Sequence, residues 1–145
     1  AAVTRRFAGR MLNVHPALLP AFGGPGMYGR RVHAAVLAAG AKLSGATVHL
    51  VDEHYDRGAI VAQWPVPVVD GDTPETLAAR VLRVEHLLLP FVVDALAAGR
   101  ITVDADGRVA GAARLALPGP YAFALQPDPG RIAESIGAML GLDEG

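Results

Sequence analysis

The sequence predicts an α/β fold. Two stretches repeat apolar residues at helical spacing, three short extended stretches are interleaved with them, and glycine- and proline-rich turns separate the pieces. The chain has 145 residues, which bounds it to one domain or a domain with a tail. Hydrophobic residues make up 52% and charged residues 19%, enough apolar surface for a core and no case for global disorder. No apolar run approaches the roughly 18 residues that suggest a membrane span. Thirteen Lys and Arg against fourteen Asp and Glu leave a formal net charge of −1, so neither a nucleic acid nor a membrane surface is expected as a partner. The absence of cysteine excludes disulfides, cysteine-held zinc, iron–sulfur clusters and thiol nucleophiles. Nothing resembles a signal peptide, which makes the cytoplasm the expected location. The chain opens Ala1-Ala2-Val3 without a methionine, as expected for a processed, trimmed or partial product.

Thr4–Gly9 is too short to assign alone. Leu12–His15 reads as a short buried strand, ended by Pro16, because a residue before proline is driven toward extended geometry. Four glycines and two prolines between Pro20 and Gly29 predict a loop, long enough to suggest a role in function. Val32, Ala35, Val36 and Ala39 predict a helix of about three turns, with Gly40 as its left-handed stop. Gly45–Val51 predicts a strand with Val48 and Leu50 on one face and His49 and Val51 on the other. Ile60–Val69 predicts a second strand, and Pro65 and Pro67 confine it to an edge because each removes a ladder donor. The polar segment 52–58 would connect these two as an antiparallel pair.

The clearest helix begins with Thr73 as N-cap, Pro74 at the first position and Glu75 beside the positive end. Leu77, Val81, Val84 and Leu88 supply its buried stripe, Pro90 should kink it and Gly99 should end it. Ile101–Val103 and Arg108–Ala110 about Asp106-Gly107 predict a hairpin. Beyond Gly111 only Ile132, Ile136, Met139 and Leu140 suggest a further short helix. The expected division is therefore a main unit over 1–104 and an appendage over 105–145.

The chemistry begins at Asn13-Val14-His15-Pro16. On an extended segment Asn13 and His15 face the same side, joining an amide N–H that stabilises a developing oxyanion to an imidazole that moves a proton near neutrality. The same pattern is also what a strand-end amide and a packed, hydrogen-bonded histidine look like. Asp56, in the loop after the 45–51 strand, would fix the tautomer of His15 and raise its pKa if it lay within about 4–6 Å, or else be an ordinary turn aspartate. Ser44 and Ser135 are the only serines and neither stands in a nucleophile elbow, so no serine triad is available. His33, His54 and His86 lack the i, i+4 spacing of a helical metal site, and no metal is expected. Arg30-Arg31 reads as an exposed helix start, Arg83 and Glu85 as a solvated helix face, and His49 as a buried orienting residue.

Taken together, Asn13-Val14-His15-Pro16-Ala17-Leu18-Leu19-Pro20, Gly45–Val51 and Asp52-Glu53-His54-Tyr55-Asp56-Arg57-Gly58 resemble the signature of the folate-dependent formyltransferases, specifically the branch acting on glycinamide ribonucleotide. The resemblance covers about residues 1–104, including Arg80–His86 and Pro90. It implies the carboxy-terminal part of a doubly wound sheet, mixed with an antiparallel strand pair. It also implies transfer of a formyl group from 10-formyltetrahydrofolate, as co-substrate, to the amine of glycinamide ribonucleotide in purine biosynthesis. By the same resemblance Asn13 would hold the formyl oxygen, His15 would act as general acid, and Asp56 would tune His15. Asp52, Glu53, His54, Tyr55 and Asp56 would line the folate pocket together with Asn13. Leu82, Arg83, Val84 and Glu85 would contact the ribonucleotide, and His49 would support the site from behind.

Members of the family begin with a nucleotide-binding half whose Gly-Ser-Asn-type loop holds the substrate phosphate. This chain enters just before the Asn-x-His-Pro strand, so a missing half, pairing with another chain or self-association is expected. Arg57 stands where a small residue is common. Formyltetrahydrofolate hydrolase and methionyl-tRNA formyltransferase are sister readings. The hydrolase typically carries a second histidine where this chain has Pro16, and the tRNA enzyme would bring a basic RNA-binding domain. A non-catalytic folate-binding half-domain is the remaining alternative.

Overall fold

A computed structural model describes residues 2–7, 9–52, 56–104 and 106–111. The expected contacts of Glu53, His54 and Tyr55, and the appendage helix near Ile132–Leu140, lie outside the described residues. The elements run α1 (Ala2–Arg6), β1 (Leu12–His15), α2 (Arg30–Ala38), β2 (Leu43–Leu50), β3 (Ile60–Pro67), α3 (Pro74–Ala97), β4 (Thr102–Val103) and β5 (Val109–Ala110). The opening, which the sequence left unassigned, is helical over Ala2–Arg6, and the remaining elements fall within a few residues of the predicted spans.

The principal sheet has the order β1-β2-β3, and both pairings are antiparallel. β3, with its two prolines, is an edge of that sheet, as the missing donors require. β4 and β5 form the small hairpin. β2 is central, and every residue from Ser44 to Leu50 is buried. Ala46, Val48 and Leu50 pack in one cluster with Leu77, Val81, Val84 and Leu88 of α3, and this apolar burial is the main force holding the long helix to the sheet. The opposite side of β2 carries Thr47 and His49.

Helix α3 starts as its sequence requires. The Thr73 hydroxyl accepts from the Thr76 N–H at 3.3 Å, and the Thr76 hydroxyl accepts from the Thr73 N–H at 2.9 Å, a reciprocal cap. Pro90 does not end the helix, which continues to Ala97; its ring is exposed, so the carbonyl it leaves unpaired can meet water. Gly40 and Gly99, both left-handed at φ 65° and 67°, follow the ends of α2 and α3.

Asp72 ties the β3–α3 turn to the helix. Its carboxylate accepts two bonds from Arg80, at 2.7 and 2.9 Å, while Arg80 also donates to the Pro67 carbonyl at 2.9 Å. The Arg80 hydrogen bonds hold the Asp72 carboxyl far below the usual aspartate range. A depressed folded-state pKa stabilises the fold above the unfolded value near 3.9, and the contribution drains away as pH falls below it. Asp72→Asn is therefore expected to lower the melting temperature at pH 7, with the gap to the parent protein closing below about pH 4. A gap that stays constant down to about pH 2 would show that the charge is irrelevant.

Candidate active site

Pairing of β1 with β2 sets Asn13 opposite His49 and His15 opposite Thr47. Thr47 then anchors the chain that leaves β1. Its hydroxyl donates to the Ala17 carbonyl at 2.6 Å and accepts from the Leu19 N–H at 3.0 Å. Gln63 on β3 adds bonds to the Leu19 carbonyl at 2.8 Å and to the Thr47 hydroxyl at 3.0 Å. Ala17 and Leu19 are buried beneath this network. The segment after His15 is thereby held in one path, which returns the Phe22 carbonyl to the His15 ring.

His15 is 3% exposed. Its Nε2 donates to the Phe22 carbonyl at 2.8 Å, and its Nδ1 stands 3.5 Å from Oδ2 of Asp56. A ring with hydrogens on both nitrogens therefore faces an acceptor on each side. The same Asp56 oxygen accepts the Gly24 N–H at 3.0 Å, which fixes the carboxylate. Phe22 and Asp56 are the two non-glycine residues with left-handed backbone among the described residues, each at φ 55°. Both touch His15, so the strain of about 1–3 kcal/mol that such a conformation stores is concentrated where this imidazole is aligned.

His49 is fixed through both nitrogens. Nδ1 lies 2.9 Å from the Leu50 carbonyl and must carry the hydrogen, so Nε2 accepts from the Asn13 amide at 3.2 Å. Oδ1 of Asp56 approaches the same Nε2 at 3.6 Å. The β2–β3 register slips between Val48 and His49, a bulge that turns the strand where His49 is presented. Only one amide hydrogen of Asn13 is used, and the second has no partner among the described residues.

Asn13, His15 and Asp56 border one cavity of about 760 Å³, together with the 24–30 loop, His33 of α2, and Ala78, Leu82 and Glu85 of α3. Burial pushes the Glu85 carboxyl up, partly offset by His86. Burial pushes His33 down, and charge on His15 pushes it further. The run Leu82–Glu85 is divided by helical periodicity: Leu82 and Glu85 face the cavity, Val84 packs in the core and Arg83 is exposed. The solvated face expected for Glu85 is corrected to a half-buried position. Asp52 borders a separate cavity of about 350 Å³ with Arg57 and Gly58. Arg30 pairs with Glu75 at the rim and Arg31 stacks on Tyr28, 5.2 Å from its ring centre.

The contacts made by Thr47, Gln63, Phe22 and Gly24 leave no mark in the sequence pattern, because each acts through a register or a turn that no local pattern encodes. His33 did leave a signal. It sits beside Val32 and three residues before Val36, a polar residue on the buried stripe of α2.

Residues 1–93 match the model of the family described as formyl transferase. The phosphoribosylglycinamide formyltransferase of Vigna unguiculata, a chloroplastic protein, is 57% identical over 103 residues, 71% of this chain and 33% of that protein. The phosphoribosylglycinamide formyltransferase of Mycobacterium tuberculosis is 56% identical over 98 residues, 68% of this chain and 43% of that protein. Glycinamide ribonucleotide transformylase 1 from Symbiobacterium toebii superposes with a TM-score of 0.67 at 38% identity, covering 75% of this chain and 49% of that structure. The chain thus spans between a third and a half of the length of these relatives.

Proposed function

Because this chain belongs to the formyl transferase family, we propose that it forms the formyl-handling part of an enzyme that moves a formyl group from 10-formyltetrahydrofolate to the primary amine of glycinamide ribonucleotide. The observation that carries the reading is the shared cavity: His15 held between the Phe22 carbonyl and Asp56, beside an Asn13 amide with one N–H to spare. The names of the relatives above support the choice of acceptor.

The chemistry follows from those groups. The amine nitrogen attacks the formyl carbon, the C–N bond forms, and the carbonyl electron pair moves onto oxygen. Asn13 donates its free N–H to that oxygen, most strongly as charge develops. His15 gives a proton to the folate nitrogen as the old C–N bond breaks, while Asp56 balances the charge of the ring. The amine proton leaves to solvent, and His15 is recharged from water. His49 acts through Asn13 alone, holding the amide so that its second hydrogen points into the cavity. Glu85, uncharged more readily than a surface carboxylate, borders the same cavity.

The test joins this chain to the portion of the Mycobacterium tuberculosis relative that the match leaves uncovered. The folded fusion is assayed with both substrates. Formylated glycinamide ribonucleotide is the expected product. Release of formate without it would favour a hydrolase, and turnover of neither kind would remove the enzymatic reading.

A further inference from the structure

Strand pairing sets His15 opposite Thr47 and Thr47 opposite Gln63, so a histidine, a threonine and a glutamine form one row across the three strands. Residues directly opposite share a face and lie within reach of one another. Gln63 spends its amide nitrogen twice: Nε2 donates to the Leu19 carbonyl at 2.8 Å and to the Thr47 hydroxyl at 3.0 Å. The Thr47 hydroxyl has a single hydrogen, given to the Ala17 carbonyl, so it receives the bonds from Gln63 and from the Leu19 N–H. Leu19 is buried, and Gln63 is the side chain that satisfies its carbonyl. Both groups that align His15 leave from the chain just beyond Leu19. The Phe22 carbonyl accepts from Nε2 of the ring, and the Gly24 N–H fixes the Asp56 oxygen beside Nδ1. Gly23 is wedged between them: a β-carbon there would lie 2.5 Å from Cδ2 of Leu19 and 3.3 Å from Cβ of Asp56. Leu19 thus bears, through Gly23, on the residue that carries the carboxylate.

We propose that Gln63 is a positioning residue for the proton transfer, acting on His15 through Leu19 without touching either substrate. The assignment rests on the formyl-transfer reading and deepens it. Without the Gln63 amide the Leu19 carbonyl becomes a buried acceptor that has lost its donor, and a tilt of that peptide toward water is the available relief. The tilt carries Phe22 and Gly23 with it, because a close-packed path of so few residues transmits strain instead of absorbing it. The ring then loses its acceptor on one side and its carboxylate on the other. The apolar cluster beneath α3 lies on the other side of β2 and is left as it was. Gln63 stands outside the lining of the cavity that Asn13, His15 and Asp56 border, so its loss should spare binding and slow turnover. Alignment of this kind carries weight, since a displacement of about 1 Å can cost about 10²-fold in rate.

The test uses the full-length protein and two substitutions that remove the donors. Gln63→Met keeps the length of the side chain, and Gln63→Glu keeps its shape while turning an acceptor toward the Leu19 carbonyl. They differ in packing, so the one that folds decides should the other not. Each is expected to lower kcat about 10-fold, with KM for each substrate within about threefold. Combined with His15→Ala, each should lower the residual rate by no more than about twofold, because a residue acting through His15 has nothing left to align. General damage to the fold would instead repeat its full cost in that background. Magnetic resonance of isotope-labelled histidine reads the ring without turnover. The Nε2–H signal of His15, identified by its loss in His15→Ala, is expected to exchange with water at least about 10-fold faster in both variants. The Nδ1–H of His49, bonded to the Leu50 carbonyl, should keep the parent rate. Parent-like kcat in a folded variant overturns the assignment, and so does an equal loss in the His15→Ala background or an unchanged His15 signal. A parent protein that binds both substrates without transferring formyl defeats the transfer reading, and the His15 signal still decides whether Gln63 holds the ring.

Discussion

In the full-length protein, His15→Ala is expected to lower kcat for formyl transfer about 10²- to 10⁴-fold, the usual contribution of a placed general acid. The fold should survive. His15 closes β1 at its end, and the path of the next residues is held by Thr47 and Gln63 through bonds that do not involve the ring. Asp56→Asn is the companion variant. An asparagine oxygen can still accept the Gly24 N–H that Asp56 accepts at 3.0 Å, so the loop keeps its anchor while the charge beside His15 is lost. A loss of about 10²-fold is expected there, within the same range. Melting temperature and near-ultraviolet dichroism check folding in both variants. Turnover near the parent value in the two of them would leave the mechanism without its proton donor and without the carboxylate that organises it.

The elements were legible because their information is local. Leu77, Val81, Val84 and Leu88 recur at the helical period, and all four are buried. Thr73 and Pro74 announce the start of α3 through capping preferences that need no tertiary partner. The prolines of β3 declare an edge before any partner strand is known. What the sequence could not declare is register. That β1 runs antiparallel to β2, with Asn13 directly opposite His49, depends on two segments distant along the chain. The bulge at His49 follows from the same pairing, and so does the meeting of His15 with the Phe22 carbonyl. The pairing of Asn13 with His15 follows from strand alternation and the addition of Asp56 from resemblance, whereas the His49 ring, the peptide groups and the threonine hydroxyl that hold them are brought there by register and turn, which no local pattern encodes. The run Leu82–Glu85 shows the opposite failing: read as a block, it conceals that a helix turns only Leu82 and Glu85 to the cavity.

Gly58→Ala is expected to be the most damaging single methyl group in the described region. A β-carbon there would lie 1.7 Å from the Leu50 carbonyl oxygen and 2.7 Å from its carbon, and backbone cannot step aside as a flexible side chain can. The Leu50 N–H is bonded to the Ala59 carbonyl at 2.9 Å, so relief of the clash must open the end of the β2–β3 pair. The carbonyl that would move is also the one that receives Nδ1–H of His49. Its displacement strands a buried N–H, costing about 1–3 kcal/mol, frees the ring to turn, and takes from Asn13 the acceptor that aims its amide. Asp56, two residues upstream on the same loop, shifts with it. Overpacking and the lost bond together predict a destabilisation of about 3 kcal/mol or more and a fall in melting temperature of roughly 10 °C. Activity should be lost well below that melting point, because the site is disturbed before the core is. Arg57→Ala, at the exposed neighbouring position, should leave both stability and turnover near those of the parent. A Gly58→Ala protein that melts within about 2 °C of the parent and transfers formyl at its rate would mean that the close contact of this loop with β2 does not hold His49 in place.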